Sequence, residues 1–174
     1  MNSELTVVLQ QLIHGRMIAA LGTLHQGLPF VSMVTYAVAR DGSFSLHVSR
    51  LATHTQDMLA SPDVSLLITD SEGAGKMPQA LARVTVQGRA KMLDRDSEKN
   101  TDAREIYLSR FPDAAPLFEF SDFSIFVIEP VSARVIAGFG QAVTITCLAV
   151  GPTSQTLLNF SSSDIFASLT GELV

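Results

Sequence analysis

The sequence predicts an α+β fold: an antiparallel β-barrel of six to seven strands with flanking helices. Three observations carry this. Short apolar runs are separated by turn signals of hairpin length. The stretch LARVTVQGRAKML at 81–93 alternates residue by residue, with Val84, Val86 and Ala90 on one face and Arg83, Thr85 and Arg89 on the other. Helical patterns interrupt the strands only twice, too rarely for a βαβ order, so the strands pair as neighbours and the sheet closes on itself.

The elements follow in order. SELTVVLQQLIHG is an amphipathic helix, because Leu5, Val8, Leu9, Leu12 and Ile13 share one face. MIAALGTL reads as a buried strand, HQGLP as a turn and FVSMVTYAV as a β-rich strand. RDGS signals a hairpin into SFSLHVS. THTQDMLAS is a short helix with Thr53 as N-cap, stopped by Pro62. VSLLIT is a strand apolar on both faces, and DSEGAGKMPQ is a loop. A second helix runs from Asp96 or Ser97 to just before Pro112. DFSIFVIEPVSARVIAGF is a strand bent or bulged near Pro130. QAVTITCLAV is the last strand. Residues 1–150 thus form one barrel domain. The Ser/Thr-rich tail, 151–174, carries Leu157, Phe160, Ile165 and Phe166 and is expected to pack on the barrel or across a dimer.

Composition narrows the function. The 174 residues are 47% hydrophobic and only 17% charged, which excludes a disordered chain and leaves apolar surface for self-association. The net charge is −5 and no Lys/Arg cluster stands out, so no nucleic-acid partner is indicated. No apolar run approaches the ~20 residues that span a bilayer. The N-terminus lacks a basic region followed by an apolar core, and the one cysteine, Cys147, cannot form an internal disulfide. A cytoplasmic setting is expected.

Two glycine motifs fail as nucleotide loops. EGAGK has Asp70 and Met77 where a phosphate loop needs Gly and Ser/Thr, and GFGQAV has Val143 where a dinucleotide fingerprint has its third glycine. The histidines 14, 25, 47 and 54 show no close ligand spacing, so no metal site is predicted. His14 reads as a helix-terminal cation and His25 as a turn residue. What stands out is SRLATHT at 49–55, where small hydrogen-bonding side chains crowd the start of a helix. Such a place suits an anion.

The stretches VSMVTYAV, SRLATHTQDM, PDVSLL, ARVTVQGRA and AREIYLSRFPDAA, with the later GFG, resemble the FMN-binding split β-barrel superfamily, the pyridoxamine 5′-phosphate oxidase-like proteins. They are most similar to its branch related to haem-utilisation proteins. The resemblance covers roughly residues 3–142. It implies a homodimer with two FMN molecules in grooves between the subunits. By that resemblance Ser32, Met33, Val34 and Thr35 would line the flavin, Ser49, Thr53, His54 and Thr55 would face its phosphate, and Arg83 would reach it from the long strand. Thr53 and His54 stand where the oxidases usually carry Arg and Lys. The expected function is that of an FMN-dependent oxidoreductase of unknown substrate. The alternatives are a haem-binding or haem-degrading protein on the same scaffold, or a non-catalytic module for flavin or another small ligand. His54, if protonated, would strengthen phosphate binding as pH falls through about 6.5.

Overall fold

The computed structural model describes residues 3–70, 77–137 and 142–146. The GFG segment, Gln141, Cys147 and the tail from 151 lie outside the described residues. In chain order the elements are α1 (Ser3–Gly15), β1 (Ile18–His25), β2 (Leu28–Thr35), β3 (Ala37–Val38), β4 (Phe44–Ser49), α2 (Thr53–Ala60), β5 (Asp63–Thr69), β6 (Arg83–Met92), α3 (Glu98–Arg110), β7 (Phe123–Ile136) and β8 (Ala142–Thr146). A 3-10 segment, Pro112–Glu119, links α3 to β7.

The strands form one antiparallel sheet in the order β2-β1-β5-β6-β7-β4-β3, with β8 also paired to β7. The two ends of this order, β2 and β3, are separated in the chain by Tyr36 alone. One residue spans only about 3.5 Å, so the sheet must curl until its ends meet. They adjoin without pairing, and the result is a split barrel. The expected strand over 30–38 is therefore two strands, and the described total is eight. Tyr36 is fully buried at the crossing and donates its hydroxyl to the Ile13 carbonyl at 2.9 Å, tying α1 to the seam. Burial pushes its phenol up to about 12, against a smaller opposing pull from Arg110 and Arg16.

Alternation decides what fills the barrel. Leu21, Leu46, Leu66, Ile68, Val84, Val86, Ile128 and Val135 are all inward residues at 2% exposure or less, and α1 adds Leu9 and Leu12. Each such side chain contributes about 1.5–3 kcal/mol. A smaller cluster of Leu93, Ala103 and Ile125 packs α3 on the outer side.

The turns follow their residues. Gln26 and Gly27 both have positive φ, 52° and 83°, which is the hairpin geometry that matches strand twist. At 39–43 the Asp41 carboxylate accepts from the Ser43 N–H and hydroxyl, and Gly42 takes φ 81°. The expected irregularity near Pro130 is a bulge. Gln87 pairs with Ser132 and Gly88 with Pro130, leaving Val131 over. A Cβ on Gly88 would meet the Glu129 carbonyl oxygen at 2.6 Å, so only glycine lets the two backbones approach this closely.

Candidate ligand site

The structure distributes the sequence-predicted residues more widely than one site. On β2, Val34 points into the core with 4% exposure, and Ser32, opposite Leu21, has the same inward phase. Met33 and Thr35 face outward. Met33 is 67% exposed, while the Thr35 hydroxyl lies 2.7 Å from that of Tyr107 on α3.

The turn into α2 is held by the protein itself. The Ser49 hydroxyl donates to Asp122 at 2.6 Å and accepts from the Leu51 N–H at 3.1 Å. The Gln56 amide donates to the Arg50 carbonyl. The N-cap is Ala52, with no side-chain cap, and Thr53 is the exposed first residue of the helix. The expected Thr53 cap is thus displaced by one residue, because the chain is still extended at Ala52 (ψ 141°). Thr55 is fully buried. Burial lowers the pKa of His54 below the usual histidine range, against an opposing pull from Asp57. The expected gain of charge through about pH 6.5 is therefore displaced to lower pH. Arg83 turns back on its own loop, donating to the Gln79 and Leu81 carbonyls at 3.1 Å. It pairs with Ile136 at the end of β7, whereas Ser49 pairs with Phe123 at the start of that 14-residue strand. Within one chain, Arg83 and the 49–55 turn lie at opposite ends of the barrel.

Three buried polar atoms on α2 and β2 have no hydrogen-bond partner: Ser32 Oγ, His54 Nε2 and Thr55 Oγ1. Beside them is an arrangement the sequence reading missed. Asp57, on α2 and 4% exposed, accepts from Thr23 Oγ1 and from His25 Nδ1, both at 2.8 Å. Burial acts to raise the Asp57 pKa. The bonds from His25 and Thr23, with the charges of His25 and His54, outweigh it and hold the carboxyl below its usual range. An ionised carboxylate only accepts, so Nδ1 of His25 is the donor of this bond. His25 is 45% exposed. Nothing local signals this pair, because its partners are 32 residues apart and meet only when α2 packs on β1.

The outer face of the β1–β2 ribbon carries two adjoining grooves that share Val31. One, of about 640 Å³, includes Met17, Ile18, Ser32, Met33 and Leu67. The other, of about 600 Å³, includes Gly22, Leu24, Pro29, Phe30, Arg89 and Val131. A third cleft, of about 450 Å³, lies between α3 and the 39–45 hairpin and contains none of the predicted residues. Near it His47 stacks on Phe118 at 3.7 Å, with Phe123 and Tyr107 alongside. Burial, helped by Arg104 and Arg95, lowers His47 to about 4.

Residues 3–152 match the family described as "CREG, beta-barrel". The chain belongs to this family. Within the CREG barrels and their kin, it is 39% identical over 141 residues to the non-canonical haem oxygenase HOZ, chloroplastic, of Arabidopsis thaliana. The match covers 80% of this chain but 41% of HOZ, so the chain spans about two fifths of that relative's length. It is 30% identical over 122 residues to the haem oxygenase HutZ of Vibrio cholerae, covering 70% of this chain and 69% of HutZ. The crystal structure of HutZ, there described as a haem storage protein, superposes with a TM-score of 0.67, covering 72% of this chain and 89% of that one. A haem-binding protein from Mycobacterium smegmatis superposes with a TM-score of 0.74 at 28% identity, covering 84% of this chain and 59% of that one. The split-barrel resemblance and its haem-related branch are thereby borne out. Among the described residues of this CREG barrel, no helix is long and apolar enough to cross a membrane, and no cluster of three His, Cys, Asp or Glu could hold a metal ion.

Proposed function

We propose that the chain binds haem on its β1–β2 face as a cytoplasmic homodimer and takes part in haem breakdown. The observation that carries this reading is the groove of about 600 Å³ at the hairpin half of the ribbon. Leu24, Pro29, Phe30, Val31 and Val131 line it. At Gly22 its floor is bare backbone, where a Cβ would meet Ser65 Oγ at 2.7 Å. A flat apolar ring needs such a wall and such a floor. Arg89, 64% exposed and held to the similarly exposed groove residue Asp63 by nothing closer than a long 3.8 Å contact, can turn its cation to a ligand carboxylate. The haem oxygenase relatives support the same choice.

The flavin expectation has thinner support within one chain. Ser49 is committed to Asp122, Thr55 is buried and Arg83 is bonded to its own loop. Ile18, Val31 and Met33, each more than half exposed on the outer face, suit contact with a second copy. That second copy would also shield the groove from water. Bound haem supplies both the iron that activates dioxygen and the ring that is cleaved.

The test is to load the purified protein with haemin, add ascorbate in air and follow the spectrum. Loss of the Soret band with appearance of an open-chain tetrapyrrole is expected. Haem that is bound but survives would favour storage over breakdown. A protein that does not bind haemin would overturn the reading.

A further inference from the structure

The cleft of about 450 Å³ between α3 and the 39–45 hairpin has no part in the haem reading. Strand register builds its floor. Ser45 on β4 lies opposite Val127 on β7, which lies opposite Lys91 on β6, so the three side chains stand in one row on one face of the sheet. Glu129, two residues beyond Val127, shares that face. The facing wall is α3, which adds Lys99, Asp102, Ala103 and Ile106. Their offsets of three, four and seven residues place them on one side of the helix. Leu93, Ile106 and Val127 give the cleft an apolar part.

Two features of this cleft point to a ligand. The first is a set of charges of both signs. Arg40, Lys91 and Lys99 line it together with Asp102, Glu105 and Glu129, all exposed. Among the described residues none of these six makes an ion pair. Yet Lys99 and Asp102 are three apart on α3, and Lys91 and Glu129 are diagonal neighbours across β6 and β7, spacings at which opposite charges attract. Asp41, by contrast, is held by Ser43. The second feature is Ser45, a fully buried lining residue whose Oγ has no hydrogen-bond partner, a costly state for a hydroxyl. An anion alone would leave three carboxylates opposed to it, and a cation alone three basic groups. A ligand that carries both charges satisfies both sets. The diagonal holds Lys91 and Glu129 about 7–8 Å apart at the backbone, which suits charges more widely separated than those of a free amino acid. We propose that this cleft binds a dipeptide-like zwitterion with apolar side chains. Its carboxylate lies at Lys91 and Lys99 and its ammonium at Glu129 and Asp102. Its peptide carbonyl accepts from Ser45 once the exposed rim chains part around it.

The experiment titrates the full chain with L-leucyl-L-leucine, read by calorimetry and by backbone amide shifts in β4, β6 and α3. Saturable binding is expected. The N-acetylated dipeptide and the C-terminal amide, each with one charge removed, should bind roughly tenfold more weakly. Lys91→Ala should abolish the preference for the free dipeptide over its amide, and Glu129→Gln the preference over its N-acetylated form. Both positions are exposed, so neither change should disturb the fold, which far-UV circular dichroism checks. Ser45→Ala should weaken binding roughly tenfold without lowering Tm, because it removes a hydroxyl that has no partner within the chain. Failure to saturate at millimolar dipeptide would overturn the proposal. So would equal binding of the two blocked forms, or binding indifferent to both charge substitutions.

Discussion

Ser49 donates its hydroxyl to the Asp122 carboxylate at 2.6 Å, and the Arg50 N–H bonds the Asp122 carbonyl at 2.7 Å. The turn that leads into α2 is thereby fastened to the residue just before β7. A bond to a charged acceptor contributes about 1.5–3 kcal/mol. Ser49→Ala should lower unfolding stability by an amount of this order in urea titrations. Asp122→Asn should cost less, and the two together should be clearly non-additive. Additive losses would mean that the pair does not act as a unit.

Gly88 offers a sharper steric test. Its absent Cβ would sit 2.6 Å from the Glu129 carbonyl oxygen and 2.7 Å from Ile128 Cγ2. The backbone oxygen cannot move without opening the bulge at Val131. Gly88→Ala should destabilise by about 1–3 kcal/mol, visible as a lower Tm. An unchanged Tm would show that the bulge relaxes freely.

Much of this architecture was legible beforehand, and the reasons are local. Strict alternation over 81–93 identifies β6, and QG and DG identify two hairpins through glycine's positive φ. Ser97 caps α3 by accepting from the Asn100 N–H, close to where the composition places the helix start. The break at Tyr36 was not legible, because VTYAV has uninterrupted β propensity and only sheet closure decides that the chain must change partners there. The Thr53 cap failed by one residue, since propensity favours a threonine and the backbone turns helical only after Ala52. Residue types at 49–55 suggested one anion site, but Ser49 faces Asp122 and Thr55 faces the core. His25 and Asp57 show the opposite case, a paired site without any pattern in the sequence.

His47 should give the protein an acid-sensitive term. The folded state keeps this imidazole neutral down to about pH 4. The unfolded chain protonates it near the ordinary value of about 6.5. The unfolded state therefore binds a proton first as pH falls, and stability is lost between about pH 6.5 and 4. His47→Phe preserves a ring against Phe118 and removes the titration. The stability of wild type relative to this variant should fall across that window, by up to about 1.4 kcal/mol per pH unit, and be flat above pH 7. Parallel pH profiles would contradict the assignment.

The exposed outer face of β1 and β2 should be covered in solution. Light scattering is expected to give about twice the 18.7 kDa chain mass. Met33→Lys, on the 67%-exposed position, should shift the protein toward monomer without lowering its helix and strand content. A monomeric wild type, or a dimer indifferent to this charge, would remove the face from the interface.

Flavin and haem are separated most directly by titrating the purified wild-type chain with each, side by side at the same concentrations. Haemin binding is read by the Soret band and FMN binding by fluorescence quenching. Saturable haemin binding, with FMN unquenched over the same range, is the predicted result. Quenched FMN with no saturable haemin signal would contradict the haem assignment and return the site to the flavin expected from the sequence.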